Sequence, residues 1–355
     1  MKSSSNTLRT IDELCAQALL PRDKLDALAE VAARYAVALT PAMADLIDRN
    51  DPDDPIARQF VPDARELEPK PEERADPIAD DPFSPVEGVV HRYPDRVLLK
   101  IVNACAVYCR FCFRREMVGP GRGGLSAAAL TAALDYIESH PQIWEVILSG
   151  GDPLILSARR IKGVVRRLAA IPHVQVIRVH TRIPVVAPER INASLVRALR
   201  ADKATFVALH ANHPRELTQQ ARAACARLID AGIPMLSQSV LLRGVNDDIE
   251  TLGMLMRTFV ACRIKPYYLH HADLAPGTAH LRTTIAEGQE LMRALRGRFS
   301  GLCQPTYVLD IPDGHGKSPI GPNYVSASDA AESVAGASTL IEDYTGRRHV
   351  YPPKP

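Results

Sequence analysis

From Val97 onward the chain settles into a rhythm that few folds can satisfy. Short β-branched runs alternate with helix-length amphipathic runs: VLLKIVN, LSAAALTAALDYIESH, EVILS, SARRIKGVVRRLAAI, VQVIRVHT, RINASLVRALRA, TFVALHA and onward to KPYYLHHAD, IAEGQELMRALRGR and PTYVLDIP. Alternating units of about 30 residues imply parallel strands joined by right-handed helical crossovers. Strands are expected to start at Val97, Glu145, Val174, Thr205, Pro234 and Lys265. The fold class that follows is α/β, a partial (β/α)6 TIM-like barrel with a helical N-terminal extension.

Nearly every one of these runs ends in polar or glycine-rich residues: the cysteine loop, SGGDP, HTR, HANHP, SQS, HHAD and DIPDGHGK. In parallel barrels the active site lies at the carboxyl ends of the strands. Any one of these groups could be ordinary loop chemistry; in register they converge on one mouth.

Before the barrel, residues 1–50 read as helices (TIDELCAQALL, RDKLDALAEVAARYAVAL, PAMADLIDR), with Thr10 and Thr40 as N-cap candidates and Pro41 at a first helical position. Residues 51–90 change character to an extended arm dense in Pro and Asp, which is expected to bury little and to run as a solvated connector. The bulk numbers agree with a globular protein: 355 residues, 46% hydrophobic, formal charge +2. That balance gives no reason to expect a nucleic-acid or membrane partner, and no run approaches the ~20 apolar residues of a membrane span. Without an apolar signal core at the N-terminus, free cysteines fit a reducing, cytoplasmic compartment.

The chemistry concentrates in Cys105-Ala-Val-Tyr-Cys109-Arg-Phe-Cys112. A structural zinc site needs four ligands, commonly in two spaced pairs, whereas Cys15, Cys225, Cys262 and Cys303 are scattered singly. Seven cysteines in a chain this long do not make a disulfide framework. A 4Fe–4S cluster takes four thiolates, so three leave one iron open. The C-x3-C-x2-C spacing resembles the signature of radical S-adenosylmethionine enzymes, in which that iron is chelated by the amino and carboxylate groups of S-adenosylmethionine. Gly150, Gly151 and Asp152 after the second strand resemble that family's glycine motif for the amino group. Gln238, with His210, Asn212 and His213, is a further candidate for lining the nucleoside, and Phe111 for packing on it.

A second unusual segment is Asp310-Ile-Pro-Asp-Gly314-His-Gly316-Lys317-Ser-Pro. A phosphate-loop reading fails, because Ile311 stands where its first glycine belongs and Pro319 discourages the helix that follows. The alternatives are an exposed loop lysine and a lysine on a glycine-flexed loop that forms a Schiff base with an aldehyde cofactor. Upstream, Arg92 and Arg96 in HRYPDR could clamp a phosphate or merely pair with Asp95.

Taken together, RYPDRVLL, the cysteine loop through Arg114 and Arg115, SGGDPL, SVLLRGVND, PYYLH and DIPDGHGKSPIGPNYV resemble the lysine 2,3-aminomutase family from about Arg92 to Val325. The resemblance implies a six-stranded (β/α) crescent, with the radical S-adenosylmethionine barrel over 91–300 and the cofactor-lysine loop and tail in 301–355. It implies three cofactors: a 4Fe–4S cluster on Cys105, Cys109 and Cys112, S-adenosylmethionine, and pyridoxal 5′-phosphate held by Lys317, with Arg92, Tyr93, Arg96 and Gly316 as phosphate neighbours. Arg114 is similarly placed to the arginine that grips the substrate carboxylate, and Asp273 and Asp310 to the acids that bind the side-chain ammonium.

The implied activity is an isomerase's: transfer of the α-amino group of L-lysine to C3, giving β-lysine, through a pyridoxal aldimine and a 5′-deoxyadenosyl radical. Two acids suit a substrate cation, whereas glutamate would want neutral or basic residues at 273 and 310. Partners expected are the small-molecule substrate and an electron donor such as flavodoxin or ferredoxin, with room for a homo-oligomer. The chain departs from the longer members in lacking a cysteine-rich C-terminal zinc site. Its length is nearer the branch that supplies β-lysine for elongation factor P modification, which lacks the D-x-P-x-G-x-G-K-x-P loop present here. The rivals are a related aminomutase with another amino acid or in that modification pathway, and a cluster-binding redox sensor without turnover.

Overall fold

The computed structural model describes residues 6–21, 25–121, 123–327 and 339–353. Its centre is a nine-stranded sheet whose strand order in space is the order in sequence. The strands are β1 (Val89–Tyr93), β2 (Arg96–Val102), β3 (Glu145–Gly150), β4 (Val176–Thr181), β5 (Ala204–His210), β6 (Met235–Leu241), β7 (Ile264–His271), β8 (Thr306–Ile311) and β9 (Gly316–Pro319). β2 to β8 pair in parallel, while β1 and β9 run antiparallel at the two edges. The expected starts fall within two residues of the observed ones. PTYVLDIP joins as a seventh parallel strand, beyond the six-unit count, through a short pairing of Tyr268–His270 with Thr306–Val308.

The helices cover the outside, as the crossover rule requires. They are α5 (Ala127–Glu138), α6 (Ala158–Ala170), α7 (Ile183–Val186), α8 (Ala193–Leu199), α9 (Gln219–Asp230), α10 (Ile249–Ala261) and α11 (Ile285–Arg298), preceded by α1 (Ile11–Ala16), α2 (Leu25–Arg34), α3 (Pro41–Ala44) and α4 (Ala57–Phe60). In α6 the buried residues Ile161, Val164, Val165 and Leu168 recur at helical spacing and seat one face on the sheet. Ser126, Ser157, Thr218, Asp248 and Thr284 each accept a hydrogen bond from a first-turn N–H, so the long helices start where a side-chain cap permits. Each such cap is worth about 1 kcal/mol.

The N-terminal helices are shorter than the sequence pattern suggests, and Leu8, Ile11, Leu14, Leu28, Val31 and Leu39 join the core of the barrel. Thr10 caps α1 with a reciprocal capping box. Thr40 makes no such cap; its hydroxyl donates instead to the buried Val186 carbonyl at 2.6 Å. Arg22 to Lys24, the start of the second expected helix, lie outside the described residues.

The Pro/Asp-rich arm differs most from expectation. Asp54, Ile56, Gln59, Phe60, Glu66, Ile78 and Asp80 are buried, and the segment folds into α4 and short 3-10 turns at Ala64–Leu67 and Asp81–Phe83. Composition argued for solvent because acids are costly to bury alone. These acids are not alone: they meet arginines of the barrel, which a composition count cannot register.

A three-stranded sheet of β10 (Val325–Ala327), β11 (Thr339–Glu342) and β12 (Arg348–Tyr351) follows the barrel. Among the described residues no helix is long and apolar enough to cross a membrane.

Candidate active site

A cavity of about 730 Å³ opens at the carboxyl ends of the parallel strands. Its wall carries Cys105, Cys109 and Cys112, the turn from Gly150 to Asp152, Arg114, Gln238, Asp273, Asp310 and Lys317, with Arg92, Tyr93 and Arg96. Gly316 is not on the wall: it lies behind Lys317, at φ +87°, where a Cβ would come within 2.8 Å of the Tyr93 hydroxyl. His213 is absent from the wall too. It heads the 3-10 turn Pro214–Glu216 and accepts from the Arg215 N–H at 3.2 Å.

One wall is the cysteine loop. Its backbone is pressed against the second parallel strand: Gly151 donates to Val102 O at 2.6 Å and Asp152 to Ala104 O at 3.0 Å. A Cβ on Gly150 or on Gly151 would fall 2.2 Å from those same carbonyls. The glycines therefore serve the seating of the loop as well as facing the cavity. Asp152 turns inward and accepts from Thr181 Oγ1 and from the Arg182 N–H, both at 2.7 Å, so its carboxylate braces the turn.

Burial pushes all three thiols up, that of Cys112 to about 11, with Cys109 the next cause. Thiols that resist ionising unaided suit a group that brings its own positive charge. Among the described residues no group of three His, Cys, Asp or Glu is drawn close enough for one metal ion. All three cysteines nonetheless line one cavity. The donor set therefore fits a 4Fe–4S cluster with one open iron.

Four arginines surround that loop, each paired with an acid, with Arg110 and Arg115 sharing Glu66. Arg110 holds Glu66 through Nε at 2.9 Å and Nη2 at 2.5 Å, and Arg115 pairs with the same carboxylate. Arg114 meets Asp80 at 3.0 and 2.8 Å, and its third nitrogen lies 3.4 Å from Ser149 Oγ, facing the cavity. Arg182 binds Glu216 at 2.5 Å. Burial opposes ionisation of Glu66 and Asp80, yet the arginines hold both carboxyls below their usual range. Gln59, Glu66 and Asp80 come from the arm, and no sequence pattern marked them.

The opposite wall is the β8–β9 hairpin. Lys317 lies on a strand rather than on a flexible loop, because Asp313, Gly314 and Gly316 take positive φ and fold the chain back on itself. The register sets Asp310 opposite Lys317, and Lys317 Nζ donates to both carboxylate oxygens at 2.7 and 2.6 Å. His270 Nδ1 lies 3.7 Å from the same carboxylate. Burial works against the charge on Asp310, but His270 and Lys317 hold it well below the carboxylate range. Asp273 behaves oppositely: burial, and then the Asp310 charge, push it up to about 7.

Between the walls stand His180 and His210, ring centroids 5.7 Å apart, whose buried Nε2 atoms have no partner. Burial keeps both neutral, His210 down to about 3 with His270 the next cause. Unpaired ring nitrogens in a wide polar cavity mark where a ligand with hydrogen-bonding groups fits. His180 closes a strand as HTR, the signal that could have found it.

Where a phosphate clamp was expected, the arginines are partly committed. Arg92 donates to Ile78 O at 2.6 Å and to Ala79 O at 3.1 Å, while its buried Nε is unpartnered. Arg96 pairs with Asp95 at 2.7 Å, the plainer of the two readings, and stacks 3.8 Å over the Tyr93 ring. The Tyr93 hydroxyl accepts from the Lys317 N–H at 2.6 Å, tying the two edge strands together. Lys317 and Arg92 both line the cavity, so an amine and a guanidinium are present there for what an aldehyde cofactor with a phosphate tail would need. Phe111 packs toward Leu242 and Val245 and lies over the Arg182 guanidinium at 5.3 Å.

Comparisons with known proteins agree with this geometry. The radical SAM superfamily matches residues 99–255, and the family described as lysine-2,3-aminomutase matches residues 292–351. L-lysine 2,3-aminomutase of Clostridium subterminale is 42% identical over 320 residues, covering 90% of this chain and 77% of that protein. The Fusobacterium nucleatum L-lysine 2,3-aminomutase is 39% identical over 347 residues, covering 96% and 82%. Glutamate 2,3-aminomutase of Clostridioides difficile is 35% identical over 321 residues, covering 90% and 76%.

Proposed function

This chain belongs to the lysine 2,3-aminomutase family of isomerases, and from that premise we propose that it converts L-lysine to β-lysine by moving the α-amino group to C3. When bound, the cluster with S-adenosylmethionine supplies a hydrogen-abstracting radical, and pyridoxal 5′-phosphate supplies a carbonyl that takes the migrating nitrogen.

The observation that carries the substrate is the charge arrangement across the cavity. Asp310 and Asp273 lie on the hairpin side, and Arg114 on the cysteine side. Arg114, oriented by Asp80, offers one nitrogen to a carboxylate. Asp310 already holds an ammonium, that of Lys317. With the cofactor bound, Lys317 would hold it, and the substrate's side-chain cation would meet Asp310 and Asp273 on the same wall. Glutamate would set a third carboxylate against two acids.

Other residues serve the reaction from the walls. Cys105, Cys109 and Cys112 hold the cluster. Gly150, Gly151, Asp152 and Gln238 face the S-adenosylmethionine side, and Arg92, Tyr93, Arg96 and Gly316 shape the phosphate end. The enclosing barrel keeps water from a radical. Delivery of the electron falls to a donor protein such as flavodoxin or ferredoxin, in a reducing cytoplasm.

Anaerobic protein loaded with iron, sulfide and pyridoxal phosphate, given S-adenosylmethionine, reductant and all common amino acids, should yield β-lysine by chiral mass spectrometry. A different β-amino acid would overturn the substrate assignment, and none at all would overturn the reaction.

A further inference from the structure

Arg182 does something the substrate reading does not ask of it. One nitrogen, Nη1, lies 3.1 Å from Cys109 Sγ. The other, Nη2, donates to Gln59 Oε1 at 2.7 Å and to Glu216 Oε2 at 2.5 Å. Its planar group sits between the rings of Phe60, 4.8 Å away, and Phe111, 5.3 Å away. Glu216 is fully buried and accepts the N–H groups of Asn212 and His213 at 2.8 and 3.0 Å, so it cannot swing away. A guanidinium is fixed at both ends, with a donor aimed at one of the three sulfurs.

We infer that Arg182 sets the reduction potential of the cluster through an N–H···S bond to Cys109, with Glu216 as the counter-charge that limits its pull. The inference deepens the cluster reading of the same site and rests on it. Adding an electron to the cluster increases its negative charge. A cationic donor on a ligating sulfur favours that state, so it raises the potential. Glu216, on the far side of the same guanidinium, acts in the opposite sense. Arg182 is a positioning residue here: it acts on the cluster through Cys109.

The pairing gives a test of sign as well as size. The holoprotein would be titrated electrochemically, with the reduced cluster followed by electron paramagnetic resonance, in the parent, Arg182→Lys and Glu216→Gln. Iron and sulfide content and circular dichroism would be measured alongside. Arg182→Lys keeps a cation but cannot reach both partners; the equilibrium constant for reduction should fall about tenfold, which is 59 mV for a one-electron couple. Glu216→Gln keeps the acceptor oxygen and removes the counter-charge, so its potential should rise. A general loosening of the loop would move both variants the same way, and that result would overturn the inference. So would a potential unmoved in both at full cluster content.

If Arg182→Lys fails to take up the cluster, Glu216→Gln decides alone, a potential at or below the parent's counting against us. Failure of both to load while folded would make the pair an assembly device instead. The readout needs neither lysine nor pyridoxal phosphate. A failed aminomutase assay alongside opposite shifts would therefore sink the aminomutase reading and leave the cluster reading standing.

Discussion

The two walls of the cavity carry the same kinds of charge and use them differently. On the cysteine side, Arg110, Arg114, Arg115 and Arg182 are each matched by Glu66, Asp80 or Glu216. On the hairpin side, Lys317 gives both of its hydrogen bonds to Asp310, and Asp273 is left without a cation, its pKa raised to about 7. The first wall pairs every arginine within the chain and keeps one guanidinium charge in excess of its acids, so most of its ion pairs are architecture. The second is short of one cation, which is a binding specification. Reading charge type alone would have called both walls binding sites.

That contrast can be broken by mutation, beginning with the largest effect. Lys317→Ala should abolish β-lysine formation while leaving the cluster's visible absorbance and iron content unchanged; loss of both would mean that the walls are not separate. Glu66→Gln should act on the other wall and on stability, because it strips two buried arginines of their partner. Removing one member of a buried pair costs about 3–5 kcal/mol, to be read from denaturant unfolding of the cluster-loaded protein. Unchanged stability would deny the architectural role.

Asp310→Asn should raise KM for lysine by at least about tenfold, as expected when one partner of a buried charged contact is lost. Its unfolding midpoint should shift much less than that of Glu66→Gln. The pH dependence sharpens the same point. Asp273 is raised above its unfolded value, so it takes up a proton as pH falls through about 7 and then offers lysine no charge. The sign for folding is opposite: the native state binds the extra proton between about 4 and 7, so this group favours folding more at low pH. Hence kcat/KM should fall below pH 7 with no matching loss of stability, and Asp273→Asn should flatten that limb. As the smallest effect, breaking the exposed pair of Arg243 with Glu287 (2.9 Å) should cost no more than about 1 kcal/mol and leave KM alone.

Much of this was legible in the sequence because the signals are local. Strand positions showed in β-branched runs, the mouth in the polar residues that end them, and the proposed cluster site in three cysteines within one loop. The Lys317–Asp310 contact was half legible: both residues stood out, but only the hairpin register made them neighbours. The arm was misjudged because its partners are remote. Glu66 meets Arg110 across 44 positions, and Gln59 meets Glu216 across 157. Local composition prices an acid by its cost in isolation, and no window short enough to read contains the arginine that offsets it. Arg182 was visible in HTR as a strand-end residue, but its reach to Cys109 depends on how β4 sits beside the cysteine loop.

The sheet's strands follow one another in sequence order, whereas the arm grips residues far ahead of it. On a ribosome the arm emerges first, with Gln59 and Glu66 waiting for residues not yet made. At about 5–20 residues per second, Glu216 follows Gln59, 157 positions earlier, by roughly ten to thirty seconds. The cysteine loop itself ends at Cys112, 104 positions before Glu216, so for roughly five to twenty seconds the nascent chain carries that loop without its full clasp, until translation reaches the fifth strand of the barrel and the turn beyond it.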